Sequence, residues 1–288
     1  MASSSSAARA APGSSDSLPL SFAELATVRL PAVLPELTGY AALQVACFVV
    51  FFAFAKWGWP NHKDTVGLAD TFLSLLIFPV MTGAAIVASY ELRETVDTRW
   101  AARTASSDFF LVLFVTRTFL HMPIQCIMKM QRRQFWLMTI HHIVSFICFL
   151  SGLLTQRMGF FACFDGVCEM STIFLTNLFL FKEVTIRGKE LKEVVPRWIY
   201  AANGCALWLT FFVFRLILFP IWLYVWYTDI TAHPAKTWDL SNPLERYMYP
   251  TTNVLLLGLS TFWFIPLTKG AIKALRSPDD KKSEEKAN

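Results

Sequence analysis

Seven apolar runs dominate this sequence, most of them close to or above the roughly 20 residues that cross a hydrocarbon core of about 30 Å as a helix. They are Gly39 to Trp57, Leu68 to Tyr90, Ser107 to Met128, Phe135 to Leu154, Met158 to Phe181, Trp198 to Tyr227 and Tyr249 to Thr268. Only 16% of the 288 residues are charged, whereas an ordinary soluble domain carries about 25%. Runs of that length with so little charge predict an all-α polytopic membrane protein with seven transmembrane helices. The sixth run is too long to cross upright and is expected to tilt, or to kink near Pro220, whose ring removes a helical hydrogen bond.

The flanks divide the remainder. Residues 1–38 are read as an N-terminal segment: a Ser- and Ala-rich disordered tail, for which a transit peptide is the alternative, then a short amphipathic stretch from Ser21 to Leu30 along the membrane surface. Residues 39–63 form the first span and its loop, 64–276 the main membrane domain, and 277–288 a charged tail. The loops after spans one, three and five, together with the C-terminal tail, hold roughly twice the Lys and Arg of the other side, which predicts a cytosolic face there and a lumenal N-terminus. The net charge of +5 is accordingly a signal of topology rather than of nucleic-acid binding. Six cysteines (Cys47, Cys126, Cys148, Cys163, Cys168 and Cys205) lie in or beside apolar segments and are read as small buried side chains without disulfides.

Polar residues at membrane depth are the functional candidates. The fourth span, "WLMTIHHIVSFICFLSGLL", carries His141 and His142 with Thr139 and Ser145. A rise of about 1.5 Å per residue puts the two imidazoles roughly 10 Å from the basic end, level with His121 of the third span. Adjacent helical residues point about 100° apart, so at most one of the pair should point straight into a central cavity while the other meets a neighbouring helix. Arg117, Asp165, Glu169 and Arg215 occupy spans three, five and six. An unpaired charge at that depth costs about 2.5–3.5 kcal/mol or more, so all four should face protein or water. Matching depths suggests Arg117 with Glu169 and Arg215 with Asp165. Such pairs can serve only to hold helices together, so structural pairing and ligand contact both stand as readings of the arginines. No His-x-x-x-His or carboxylate spacing completes a metal ligand set, and no nucleophile elbow or phosphate loop occurs. Aromatic residues near span ends (Trp57, Trp59, Trp100, Trp198, Trp222, Trp226 and Tyr249) fit interfacial anchoring.

The ordered set "HHIVSFICF", "CEMSTIFLTNLFLF", "NGCALWLTFFVFRLILFP" and "LSTFWFIPLTKG" resembles the TLC-domain family, the membrane domain shared by ceramide synthases and translocon-associated relatives. The resemblance covers about Asp64 to Arg276. It implies six membrane helices forming a barrel around a central cavity, with one extra helix before it, residence in the endoplasmic reticulum, and lipid chemistry. In the ceramide synthase branch the paired histidines, here His141 and His142, act with acids of a neighbouring helix, here Asp165, to move an acyl group from acyl-CoA to a sphingoid amine. This chain has Phe164 and Cys168 where that branch has a histidine and a second acid. "EMSTIFLTN", Glu169 to Asn177, instead resembles the TLC-domain-containing branch, with Ile173 in place of a usual proline.

The resemblance and the polar residues together lead to a protein that binds or senses a lipid chain and contributes to membrane lipid homeostasis. The expected ligand-binding set is His141, His142, Asp165, Glu169, Ser171, Asn177, Arg117 and Arg215, with no metal and no cofactor. Membrane lipids are the expected partners, and self-association is left open. The alternatives are an acyl-CoA-dependent sphingoid-base N-acyltransferase using His141, His142 and Asp165, and a trafficking adaptor of the endoplasmic reticulum.

Overall fold

A computed structural model describes residues 9–10 and 22–275; the readings of the charged tail and of most of the Ser-rich tail fall outside these residues. Among the described residues, seven stretches are helices long and apolar enough to cross a membrane. In chain order the elements are α1 (Phe22–Gly58), α2 (Thr65–Leu92), the short α3 (Val96–Ala101) and α4 (Ala105–Ile127). Then come α5 (Arg132–Thr155) and a fifth span made of α6 (Gly159–Gly166), a 3-10 turn and α7 (Met170–Glu183). The short α8 (Leu191–Val194) leads to a sixth span of α9 (Arg197–Phe211) and α10 (Leu218–Ala232), and the last span is α11 (Tyr249–Leu275). Two pairs of two-residue strands complete the list: Arg9–Ala10 with Ala102–Arg103, and Thr185–Ile186 with Lys189–Glu190. The second pair turns through Arg187 and Gly188 at φ of 51° and 79°, the left-handed conformation that a two-residue hairpin needs and glycine adopts freely.

Local chemistry places the boundaries. Asp64 caps α2 by accepting from the Gly67 N–H at 2.9 Å, and its second oxygen accepts from the Lys129 N–H at 3.0 Å, tying the start of α2 to the end of α4. Thr95 and Thr104 form reciprocal capping boxes at the starts of α3 and α4.

Helix neighbours close a ring: α2 packs on α4, α4 on α5, α5 on α11, α11 on α9, α9 on α7, and α6 and α7 return to α2. The first helix stays outside the ring, against α2, α4 and α5, where the Gln44 amide donates to Thr116 at 2.7 Å. The stretch from Ser21 to Leu30 does not form a separate surface element. From Phe22 onward it is the first turns of α1, which runs without a break through Pro31 and Pro35 to Gly58. The expected break in the sixth span lies one turn before Pro220. Pro220 has no N–H for the Leu216 carbonyl, and the helix accommodates this as a π-helical segment, Phe212–Ile217, in which the Leu218 N–H reaches Val213.

Aromatic rings fill the ring's interior toward the end opposite the basic loops. Phe114 stacks on Phe149 at 4.0 Å and Phe110 meets both at 5.7 to 5.8 Å. Trp100, Phe161, Trp222 and Trp226 continue the stack. Trp100 and Trp222 are therefore core residues rather than interfacial anchors, and Tyr249 shares a 2.8 Å hydrogen bond with Ser151. Trp57 and Trp198, 81% and 71% exposed, do stand outward as anchors would.

Gly166 is where the fifth span touches this aromatic block most closely. A Cβ there would lie 2.1 Å from the Phe110 ring, which is fully buried and held by Phe114 and Phe149. Gly166→Ala is expected to cost about 1–3 kcal/mol, the usual penalty of overpacking. A lowered midpoint for thermal unfolding of the detergent-solubilised protein would register it, and an unchanged midpoint would show that Phe110 can yield.

Candidate functional site

The faces of α5 orient the histidines. Ile140, Ile143 and Ile147 are exposed, while Ser145, Cys148, Phe149 and Gly152 are buried. The outward residues follow a three- and four-residue spacing, so the helix presents isoleucines to lipid and turns the imidazole side inward. His142 meets His121 of α4 with ring centres 4.8 Å apart, and His141 meets Trp263 of α11 at 5.8 Å. The two imidazoles lie 5.3 Å from each other. The three histidines expected at one depth form one layer, with the adjacent pair diverging toward the two neighbouring helices.

An acid that the sequence reading passed over completes the layer. Asp70 of α2 lies 2.8 and 2.9 Å from Nη2 of Arg117 and 3.1 Å from Nδ1 of His121. Ser74 accepts from the same arginine nitrogen at 2.8 Å. Asp70 is 4% exposed and Arg117 also 4%, so this is a desolvated pair. Its guanidinium keeps Nε and Nη1 without a protein partner, as do Nδ1 of His141 and Nε2 of His142. Buried polar atoms are nearly always satisfied. Four such atoms, all nitrogens, lie together in this layer.

A second cluster lies deeper. Arg215, inside the π-helical segment, donates to Ser171 at 2.8 Å and to Thr172 at 3.1 Å, and lies 3.9 Å from Glu169. The local widening of a π-turn often accompanies a functional side chain. Asp165 accepts from the Asn253 amide at 3.2 Å and lines a pocket of about 30 Å³ with Cys148, Tyr249 and Thr252. That volume suits about one water molecule; a lipid chain does not fit there.

The depth-matched pairings are thus replaced: Arg117 pairs with Asp70 and Arg215 with Glu169. Residue rise does not fix azimuth, and Glu169 lies against Arg215 of the π-helical segment between α9 and α10. Of the expected site residues, His141, His142 and Arg117 share the imidazole layer, and Glu169, Ser171 and Arg215 share the deeper one. Asp165 stands with Asn253 instead of beside an imidazole. Asn177 is half-buried on α7 and makes no hydrogen bond among the described residues. Sequence reasoning missed Asp70 and Asn253. Asp70 is in phase with Ser74, Ile77, Met81, Ala85, Ala88 and Leu92, the buried stripe of α2, and that phase was the available signal. All six cysteines are free thiols; Cys126 and Cys205 are exposed, contrary to their reading as buried side chains. Among the described residues no cluster of three His, Cys, Asp or Glu is placed to hold a metal ion.

The family model for the TLC domain matches residues 68–269, the whole of the closed ring apart from its outermost turns. The chain belongs to the TLC domain family. Relatives of this TLC-domain chain include TLC domain-containing protein 1 of Mus musculus, 23% identical over 160 residues, 56% of this chain and 58% of the relative. The protein of the same name from Gallus gallus is 28% identical over 131 residues, 45% of this chain and 49% of the relative. The match thus spans about half the length of these relatives. No solved structure matches the chain.

Proposed function

We propose that this TLC-domain protein holds the polar head of a membrane amphiphile in its imidazole layer and thereby contributes to membrane lipid homeostasis. The observation that carries this reading is the set of unpartnered buried nitrogens on His141, His142 and Arg117, beside the ion pair of Arg117 with Asp70. Imidazole and guanidinium nitrogens suit the hydroxyl, carbonyl or phosphate oxygens of a lipid head. The head enters from the basic end, which on this reading faces the cytosol from the endoplasmic reticulum membrane, and the chain lies along the helices. No cofactor takes part, and a second copy of the chain is a further candidate partner.

The Asp70, His121, His142 series favours a second reading. An acid beside one imidazole, itself packed on another, is a proton-accepting array. With a long-chain acyl-CoA as substrate, an amine would attack the thioester carbonyl while His142 takes the amine proton. The C–S bond breaks as the amide forms, and the thiolate leaves to collect that proton. On this geometry the supporting acid is Asp70, with Asp165 remote from the transfer.

One purification separates the readings. Lipid extracted from the wild-type protein should be depleted about 30-fold in His141→Ala/His142→Ala, the loss expected for two hydrogen bonds of about 1 kcal/mol each. Equal lipid in both preparations would refute head-group binding at this layer. Amide product from acyl-CoA and long-chain amines, abolished in His142→Ala, would establish the enzyme instead.

A further inference from the structure

A second polar recess lies outside the ring, at the basic end, where α1 finishes at Gly58, the following loop runs to α2, and α7 ends. It has a volume of about 550 Å³ and is lined by Trp59, Asn61, His62, Lys63, Lys182 and Glu183 among others. A small-molecule pocket typically has about 300–1,000 Å³. Three helix ends meet there, so the recess sits at the level where hydrocarbon gives way to head groups, beside the outward Trp57.

Its walls are held in place and its charges are free. The Trp59 indole donates to the Thr185 carbonyl at 2.8 Å, which fixes one wall against the hairpin. His62 Nδ1 accepts from the Asp64 N–H at 3.2 Å, so the neutral ring carries its proton on Nε2 as a donor. Asp64 is occupied by the Gly67 and Lys129 amides. Lys63 and Lys182 are exposed and make no ion pair among the described residues. The lining thus offers two lysines against one acid, Glu183, a basic surround that suits the negative charge of a phosphodiester.

We propose that this recess binds the phosphodiester of a phospholipid head group, with Lys63, Lys182 and His62 as donors and Trp59 as the interfacial wall. The lipid's chains then lie against α1 and α7 in the surrounding bilayer, separate from the imidazole layer. A membrane source is favoured over a soluble phosphate because the recess opens where three spans leave the hydrocarbon.

Native mass spectrometry of the full chain, titrated with phosphatidylglycerol or with diacylglycerol of the same chains, tests this. Wild type should retain phosphatidylglycerol in preference, and Lys63→Ala/Lys182→Ala should lose about 30-fold in affinity for it, two surface-lysine contributions multiplied. Lys189→Ala/Lys192→Ala removes the same charge at the same end outside the recess and should leave binding within about two-fold of wild type. Equal losses in both double variants would overturn the site in favour of diffuse attraction. Unchanged binding in Lys63→Ala/Lys182→Ala, or displacement of the lipid by millimolar inorganic phosphate, would overturn it as well.

Discussion

Asp70→Ala is expected to destabilise the protein by about 3–5 kcal/mol, the cost of leaving a buried charge without its partner. Arg117 would remain in a layer where its neighbours are His121, His142 and the ring of Phe78, with Ser74 as its one remaining hydrogen-bond acceptor. Thermal unfolding of the purified protein, followed by loss of the monodisperse size-exclusion peak, measures the effect. The double variant Asp70→Leu/Arg117→Met should recover most of the stability, because replacing both members of a buried pair with apolar residues is often neutral. It should hold less lipid than wild type, since the two free Arg117 nitrogens are gone while those of His141 and His142 remain. Recovery of both would separate the ion pair from the site; recovery of neither would mean that the interior needs the charge for its packing.

Asp229→Ala should be comparably severe and functionally different. Asp229 accepts from Arg99 at 2.5 and 2.8 Å and from the Trp100 indole at 2.9 Å, and is itself 4% exposed. It ties α10 to α3 at the end opposite the basic loops. Truncating it leaves Nε and Nη2 of Arg99 and the Trp100 indole N–H without their acceptor, while Nη1 keeps the Arg93 carbonyl, again about 3–5 kcal/mol. In the fraction that remains folded, lipid extracted per mole of protein should match wild type, since the clamp seals the far end of the ring. A fall in bound lipid as large as that of His141→Ala/His142→Ala would show that the seal and the head-group layer are one cooperative unit.

These two acids show what sequence could and could not reveal. Apolar run length placed all seven spans, because hydrophobic thickness leaves few other uses for such runs, and a rise per residue of 1.5 Å brought three imidazoles to one depth. Partner choice was not legible. Residue counting put Arg117 and Glu169 at similar depth, but in the structure Arg117 meets Asp70 of α2 and Glu169 meets Arg215, and such neighbour choices are set by side-chain packing that no one-dimensional pattern displays. Asp70 was hidden for a simpler reason: it sits near the start of its span, where a charge looks like part of the loop. Its phase with the buried stripe of α2 is the clue that a helical reading can use. Run length likewise did not reveal that Asp165 meets a water-sized pocket, since packing density rather than hydropathy decides how much space a bundle leaves.

Photo-crosslinking with an amphiphile bearing the reactive group beside its polar head, followed by peptide mapping, tests head-group binding in the imidazole layer most directly. Label should fall on α5 around His141 and His142 and on α4 or α11 around His121 or Trp263, and should vanish when excess unlabelled lipid competes. Label confined to outward residues such as Ile140, Ile143 and Ile147, insensitive to competition, would contradict it.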